Sequence, residues 1–211
     1  MKLWLKIVLI VAVLGSLFIA YAEKSEEGKT GSDKPLATAT FAGGCFWCME
    51  PPYDKLAGVI STTSGYTGGR RKNPTYEEVS GGTTGHAEAV QVAYDPTKVS
   101  YEKLLEVFWQ NIDPFTPNAQ FCDHGSQYRS AIFYHTPEQQ AIAAQVIQEF
   151  TAAGLWKAPI VTEVVPFTAF YPAEDYHQEF FQRHPEQLYC QFVISPKIAK
   201  FRKAFLTKLR A

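Results

Sequence analysis

Apolar and polar positions along the chain switch between the two-residue period of strands and the 3.6-residue period of helices, and the switches delimit the elements. Residues 37–41 predict a short strand that ends at Gly43-Gly44. Residues 45–50 read as the first turn of a helix, which Pro51-Pro52 should kink or restart. Residues 59–63 are β-rich, and 64–73 form a loop containing glycine and arginine. In the alternating run 88–94, Glu88, Val90, Val92 and Tyr94 share one face. Ser100 caps a predicted helix over 100–112 whose Tyr101, Leu104, Leu105, Phe108 and Ile112 fall on one stripe. A long loop over 113–127 leads to a strand at 130–135. Thr136, Pro137 and Gln139 then combine an N-cap, a first-position proline and a capping-box glutamine, opening a helix that runs to Gly154. A strand over 160–165, a helix over 173–183 and a closing helix over 198–209 complete the pass. Strands and helices interleave with unequal connections and no repeated βαβ unit. This predicts an α+β fold, a two-layer sandwich of mixed β-sheet with helices.

The chain ahead of this pattern is different in kind. Lys2 and Lys6 precede an uncharged apolar run over 7–22 that closes on Ala20-Tyr21-Ala22, a small-x-small cleavage pattern. Residues 1–22 therefore read as a signal peptide, or, if uncleaved, as a membrane anchor; either way the protein is expected to be exported, to a periplasmic or other extracytoplasmic space. Residues 23–36 are charged and small, a flexible tether. Residues 37–211 are expected to form one catalytic domain. Without the leader the chain keeps 18 basic and 21 acidic residues, a net charge of −3, and Met49 becomes its only methionine.

Composition narrows the class further. With 46% hydrophobic and 14% aromatic residues the chain is no disordered segment. A net charge of −1 gives no support to a nucleic-acid binder. Residues 197–211 hold six Lys or Arg and no acid, a face expected to lie in water rather than on a membrane. Four cysteines are too few for a disulfide scaffold, so they are expected to serve chemistry or to be incidental.

The sharpest chemical signal is Gly43-Gly44-Cys45-Phe46-Trp47-Cys48. Two glycines allow a close approach to the thiol, and a helix start is expected to lower its pKa and favour thiolate. Phe46 and Trp47 would wall a small apolar pocket. The Cys-x-x-Cys spacing lacks the following His of a haem site and the second ligand pair of a structural zinc site, so no metal is assigned. Thiol–disulfide exchange of thioredoxin type through Cys45-Cys48 stays open, as does a catalytically silent binding module. Glu88 points a carboxylate to the inner face of its strand, where desolvation would keep it protonated and make it a proton donor. The polar stretch 120–129 brings Asp123 and Tyr128 ahead of a core strand. An activated sulfur, a neutral acid and hydroxyl donors suit attack on a polarised centre whose departing oxygen must be protonated.

These residues, as GGCFWCMEPPY, GYTGG, NPTYEEVSGGTTGHAEAVQVAYDP, QFCDHGSQYRSAIFYH and FYPAEDYHQEF, resemble the peptide methionine sulfoxide reductase A family over about residues 37–209. The resemblance implies a ferredoxin-like α+β fold and reduction of the S epimer of methionine sulfoxide, free or in proteins, without metal or organic cofactor. It implies Cys45 as nucleophile and Phe46 and Trp47 as the seat of the S-methyl group. Glu88 would donate the proton, helped by the hydroxyls of Tyr76 and Tyr128, with Asp123 orienting the network. Many members resolve the sulfenic acid with a cysteine in a glycine-rich C-terminal tail. Cys190 is the first candidate here, although its surroundings lack that glycine. Cys48, which can bridge at i, i+3, follows, and Cys122 is third; direct reduction by an external thiol is the remaining route. Electrons would come from a thioredoxin-like dithiol, supplied across the membrane if the protein is exported. The partners implied are oxidised proteins or free methionine sulfoxide, with the enzyme itself a monomer.

Overall fold

The computed structural model describes residues 35–152, 158–187 and 192, all within the unit Lys34–Ala211. The leader, the tether up to residue 34, Gly154, the closing helix and Cys190 lie outside the described residues.

Strand β1 (Ala37–Gly43) leads through Gly44 and Cys45 into helix α1 (Phe46–Asp54). Pro51 and Pro52 sit inside this helix and neither ends nor restarts it. Both are buried with Tyr53, so packing rather than an unbroken hydrogen-bond ladder holds the last turn. Strand β2 (Val59–Thr67) runs four residues beyond the expected 59–63, through positions read as loop. Its second half is fixed by neighbours on both sides: Tyr66 pairs with Glu88 on one edge and with Tyr171 on the other. Helix α2 (Tyr76–Ser80), unforeseen in the pattern, is a single turn closed by a full capping box between Thr75 and Glu78.

Strand β3 (Ala87–Tyr94) and helix α3 (Tyr101–Asn111) follow expectation, with Ser100 Oγ accepting from the Lys103 amide and all five stripe residues buried. The predicted loop 113–127 contains a two-residue hairpin, β4 (Ala119–Gln120) with β5 (Asp123–His124), and a 3₁₀ turn at Ser126–Tyr128. Strand β6 (Ser130–Tyr134) leads to helix α4 (Pro137–Ala152). Thr136 caps this helix through the Gln139 amide, yet the Gln139 side chain accepts from His135 and donates to Thr38 O, so the reciprocal half of the box is absent. Strand β7 (Glu163–Pro166) starts three residues later than expected.

The helix expected over 173–183 does not form. Strand β8 (Phe170–Pro172), a 3₁₀ turn at Asp175–His177 and the single turn α5 (Phe180–Arg183) stand there instead. Two features break it: Gln178 gives its side chain to Ser64 N, Ser64 O and Ala173 O, and Glu179 adopts φ +53°.

The sheet order is β7-β6-β1-β3-β2-β8, antiparallel except for the β6–β7 pair. Its inner part, β1-α1-β2-β3-α3-β6 ordered 6-1-3-2, is the split βαβ of ferredoxin-like folds. Helices α1 and α3 cover one face. There Phe41 stacks on Tyr53, Tyr101 and Phe108 at centroid distances of 5.5, 6.0 and 5.4 Å. The opposite face buries Ala42, Ala87, Ala89, Ala131 and Phe133 under Val165, Phe167 and Phe170.

Candidate active site

The β1–α1 junction is built from residues that could not be larger. Gly44 has φ +89°, and a Cβ there would lie 2.6 Å from Gln120 Cβ; one on Gly43 would lie 2.6 Å from Ile112. The close approach that the glycines allow is therefore made by the protein's own Gln120 and Ile112. Gln120 is itself pinned, donating to Asp113 O at 2.7 Å and accepting from Asp113 N at 2.8 Å.

Cys45 is the N-cap of α1 and partly exposed. The expectation of a lowered thiol pKa is not met: burial of the sulfur, its hydrogen bond to Cys48 and the nearby Glu88 and Asp123 all push it up. The reason lies at the helix start. The first free amide, Phe46 N, donates to Glu88 Oε2 at 3.1 Å, and Cys45 makes no side-chain cap bond. The positive end of the helix is engaged by the carboxyl group, not by the sulfur.

Glu88 is only 2% exposed. Burial raises its pKa to about 8; the Phe46 amide pulls the other way and Asp123 adds to the rise. The group is therefore neutral at pH 7, as the strand alternation predicts. Across it stand two phenols. Burial and the neighbouring Glu88, Cys45 and Asp123 hold Tyr76 protonated, pushed up to about 12, and raise Tyr128 as well. Tyr76 opens α2, Tyr128 closes the 3₁₀ turn before β6, and Asp123 is on the β4–β5 hairpin.

Phe46 and Trp47 lie beside this group, with ring centroids 6.4 Å apart. Trp47 stacks on Phe180 at 3.6 Å and 5°. The structure thus gathers Cys45, Phe46, Trp47, Cys48, Tyr76, Glu88, Asp123 and Tyr128. Cys122 is exposed on the turn of the β4–β5 hairpin, and Cys190 lies outside the described residues.

Three neighbours of the site were given no role by the sequence. Glu174 accepts from Tyr76 N and from Tyr66 Oη, both at 2.8 Å. His177 accepts the Trp47 indole hydrogen at Nδ1, 3.1 Å away. All reach the site from segments more than ninety residues from their partners or through a strand half that reads as loop, so no periodicity marks them. Only their place in the GYTGG and FYPAEDYHQEF stretches singles them out. Among the described residues no cluster of His, Cys, Asp and Glu is arranged to hold a metal ion.

Fold and site define a thiol-centred α+β oxidoreductase whose sulfur, neutral acid and phenols meet beside an aromatic wall. The chain belongs to the peptide methionine sulfoxide reductase family, whose profile matches residues 37–209. It is 52% identical over 176 residues to the peptide methionine sulfoxide reductase MsrA of Thermus thermophilus, covering 83% of this chain and 99% of that one. The MsrA of Sulfolobus acidocaldarius is 50% identical over 173 residues, 82% of this chain and 97% of its own. Among solved structures, the methionine sulfoxide reductase A of Corynebacterium diphtheriae superposes with a TM-score of 0.65 at 34% identity, over 76% of this chain and 81% of that chain. Mxr1 of Saccharomyces cerevisiae in reduced form gives 0.69 at 31%, over 76% and 92%. The thioredoxin-type alternative falls with this membership.

Proposed function

We propose that the chain reduces the S epimer of methionine sulfoxide, free or in oxidised proteins, to methionine. The observation that carries the reading is the neutral Glu88 carboxyl group bonded to the amide of the residue after Cys45. The substrate's S-methyl group seats against Phe46 and Trp47, and its oxygen faces Glu88, Tyr76 and Tyr128. Cys45 Sγ attacks the sulfoxide sulfur. Glu88 gives its proton to the oxygen and recovers one from the thiol, so no free thiolate need exist before substrate arrives. Oxygen passes to Cys45, which becomes a sulfenic acid as methionine leaves. Asp123, on its hairpin, orients the phenol network.

Among the described cysteines, Cys48 is the resolving thiol that geometry favours, because its side chain is already hydrogen-bonded with Cys45. Its sulfur attacks the sulfenic acid, water departs, and a Cys45–Cys48 disulfide forms. A thioredoxin-like dithiol then reduces that disulfide and is itself oxidised. No metal or organic cofactor takes part in these steps. The composition of residues 1–22 supports an extracytoplasmic site of action; mass measurement of the mature N-terminus in fractionated cells tests it, with Glu23 first if the leader is cleaved.

Cys45→Ser is expected to abolish dithiothreitol-driven reduction of a methionine S-sulfoxide while leaving the circular dichroism spectrum unchanged. Substantial residual turnover sinks the mechanism. Peptide mapping after one turnover is expected to recover a 45–48 disulfide; recovery of 45–190 or 45–122 instead overturns the choice of Cys48.

A further inference from the structure

The segment between β8 and α5 carries a histidine that the reaction above does not use. His177 is 1% exposed, and its ring lies among four aromatic side chains, three of them of the site. Centroid distances are 4.1 Å to Tyr176, 4.5 Å to Tyr76, 4.9 Å to Phe46 and 5.4 Å to Trp47. The one hydrogen bond that its ring makes among the described residues defines its tautomer. The indole Nε1–H of Trp47 can only donate, so Nδ1 must accept and the proton of the neutral ring sits on Nε2. Burial lowers the ring's pKa and so favours this neutral form. Nε2 is buried without a hydrogen-bond partner among the described residues. A phenylalanine would fill the same space and strand no donor. What the imidazole adds is a single acceptor aimed at the indole.

We infer that His177 is a positioning residue that fixes the Trp47 indole in the orientation that receives the substrate's S-methyl group. Stacking on Phe180 leaves an indole free to slide and rotate in its own plane; the bond to Nδ1 removes that freedom. The inference rests on the proposed role of Trp47 as a wall of the substrate pocket.

The test is single-turnover reduction of a methionine S-sulfoxide by the reduced protein, which separates the half-saturating substrate concentration from the limiting rate. Asparagine and leucine are close in size, and only asparagine offers an acceptor near the position of Nδ1. His177→Leu is expected to raise the half-saturating concentration about tenfold while the limiting rate changes less than about threefold. His177→Asn is expected to stay within about threefold of the natural protein on both. In a Trp47→Phe background, which has no indole N–H, His177→Leu is expected to add no further loss. Equal behaviour of the Asn and Leu variants, or an undiminished effect in the Trp47→Phe background, overturns the inference. If Trp47→Ala leaves the half-saturating concentration unchanged, the pocket assignment itself fails, a result distinct from either.

Discussion

Glu88 is where burial and a single amide bond pull in opposite directions, and burial wins. A carboxyl group held neutral to about pH 8 can give up a proton at neutrality, whereas an ordinary surface glutamate has none to give. Glu88→Ala is expected to slow the single-turnover reduction roughly 10²- to 10⁴-fold, the usual weight of a positioned acid. Glu88→Gln, whose amide still donates to the oxygen, should lose about tenfold. The natural protein's rate should fall as pH climbs through about 8, and the Gln variant should lack that limb. Equal losses in the two variants mean that Glu88 is structural. At this scale the sequence was informative because strand alternation alone turns Glu88 inward beside Val90 and Val92. It misled on Cys45. The free amides at the helix start are legible locally, but a carboxyl group forty-two residues away takes the first of them.

The short elements after Pro172 act as braces. In nine residues, 174–182, side chains or amides tie α1, β2 and α2 together: Glu174 to Tyr76 and Tyr66, His177 to Trp47, Gln178 to Ser64, Glu179 N to Glu50, Gln182 to Asp54. Glu174 holds the amide of Tyr76, the residue whose phenol faces the substrate oxygen in the proposed mechanism. Removing it in Glu174→Ala strands two donors and should cost about 1–3 kcal/mol in urea unfolding. It should also slow the limiting single-turnover rate, since Tyr76 loses its anchor. Thr75→Ala removes only the α2 cap, for about 1 kcal/mol, and should spare the rate. If both variants slow equally, the rate follows helix stability and not the Glu174 bond. Elements with strong local signals, such as the Ser100 cap and the stripe of α3, were legible in advance. The second half of β2 and all of β8 were not. Their residues become strands only because Tyr66 has Glu88 on one side and Tyr171 on the other, a pairing no local window contains.

Across the whole molecule, antiparallel pairing explains why one end of the sheet carries the chemistry. Gly43 ends β1 opposite Ser130, which starts β6, while Glu88 at the start of β3 pairs with Tyr66 near the end of β2. The Cys45, Tyr128 and Glu88 positions therefore converge from chain segments that are distant in sequence. The convergence also loads the interior with acids. Glu50, 1% exposed on α1 beside Asp54, is pushed up to about 7 by burial and by that neighbour, and Glu88 to about 8. Both start from 4.5 in the unfolded chain. A raised folded pKa means that the folded state binds the extra proton, so each group's contribution is complete below pH 4.5 and is lost as pH rises to its folded value. Unfolding free energy should thus decline from about pH 4.5 through 7 and 8 and then level off on this account, by on the order of 3 kcal/mol for Glu50 and 5 kcal/mol for Glu88. Urea unfolding of the reduced protein at pH 6 and pH 9 checks this. Glu50→Gln, which cannot ionise and keeps an acceptor for Glu179 N, should flatten the decline by its own share while leaving the pH-dependence of the reduction rate near 8 in place. A natural protein that is as stable at pH 9 as at pH 6 would show that neither carboxyl group is neutral in the fold, and the proton donor assigned to the reaction would go with it.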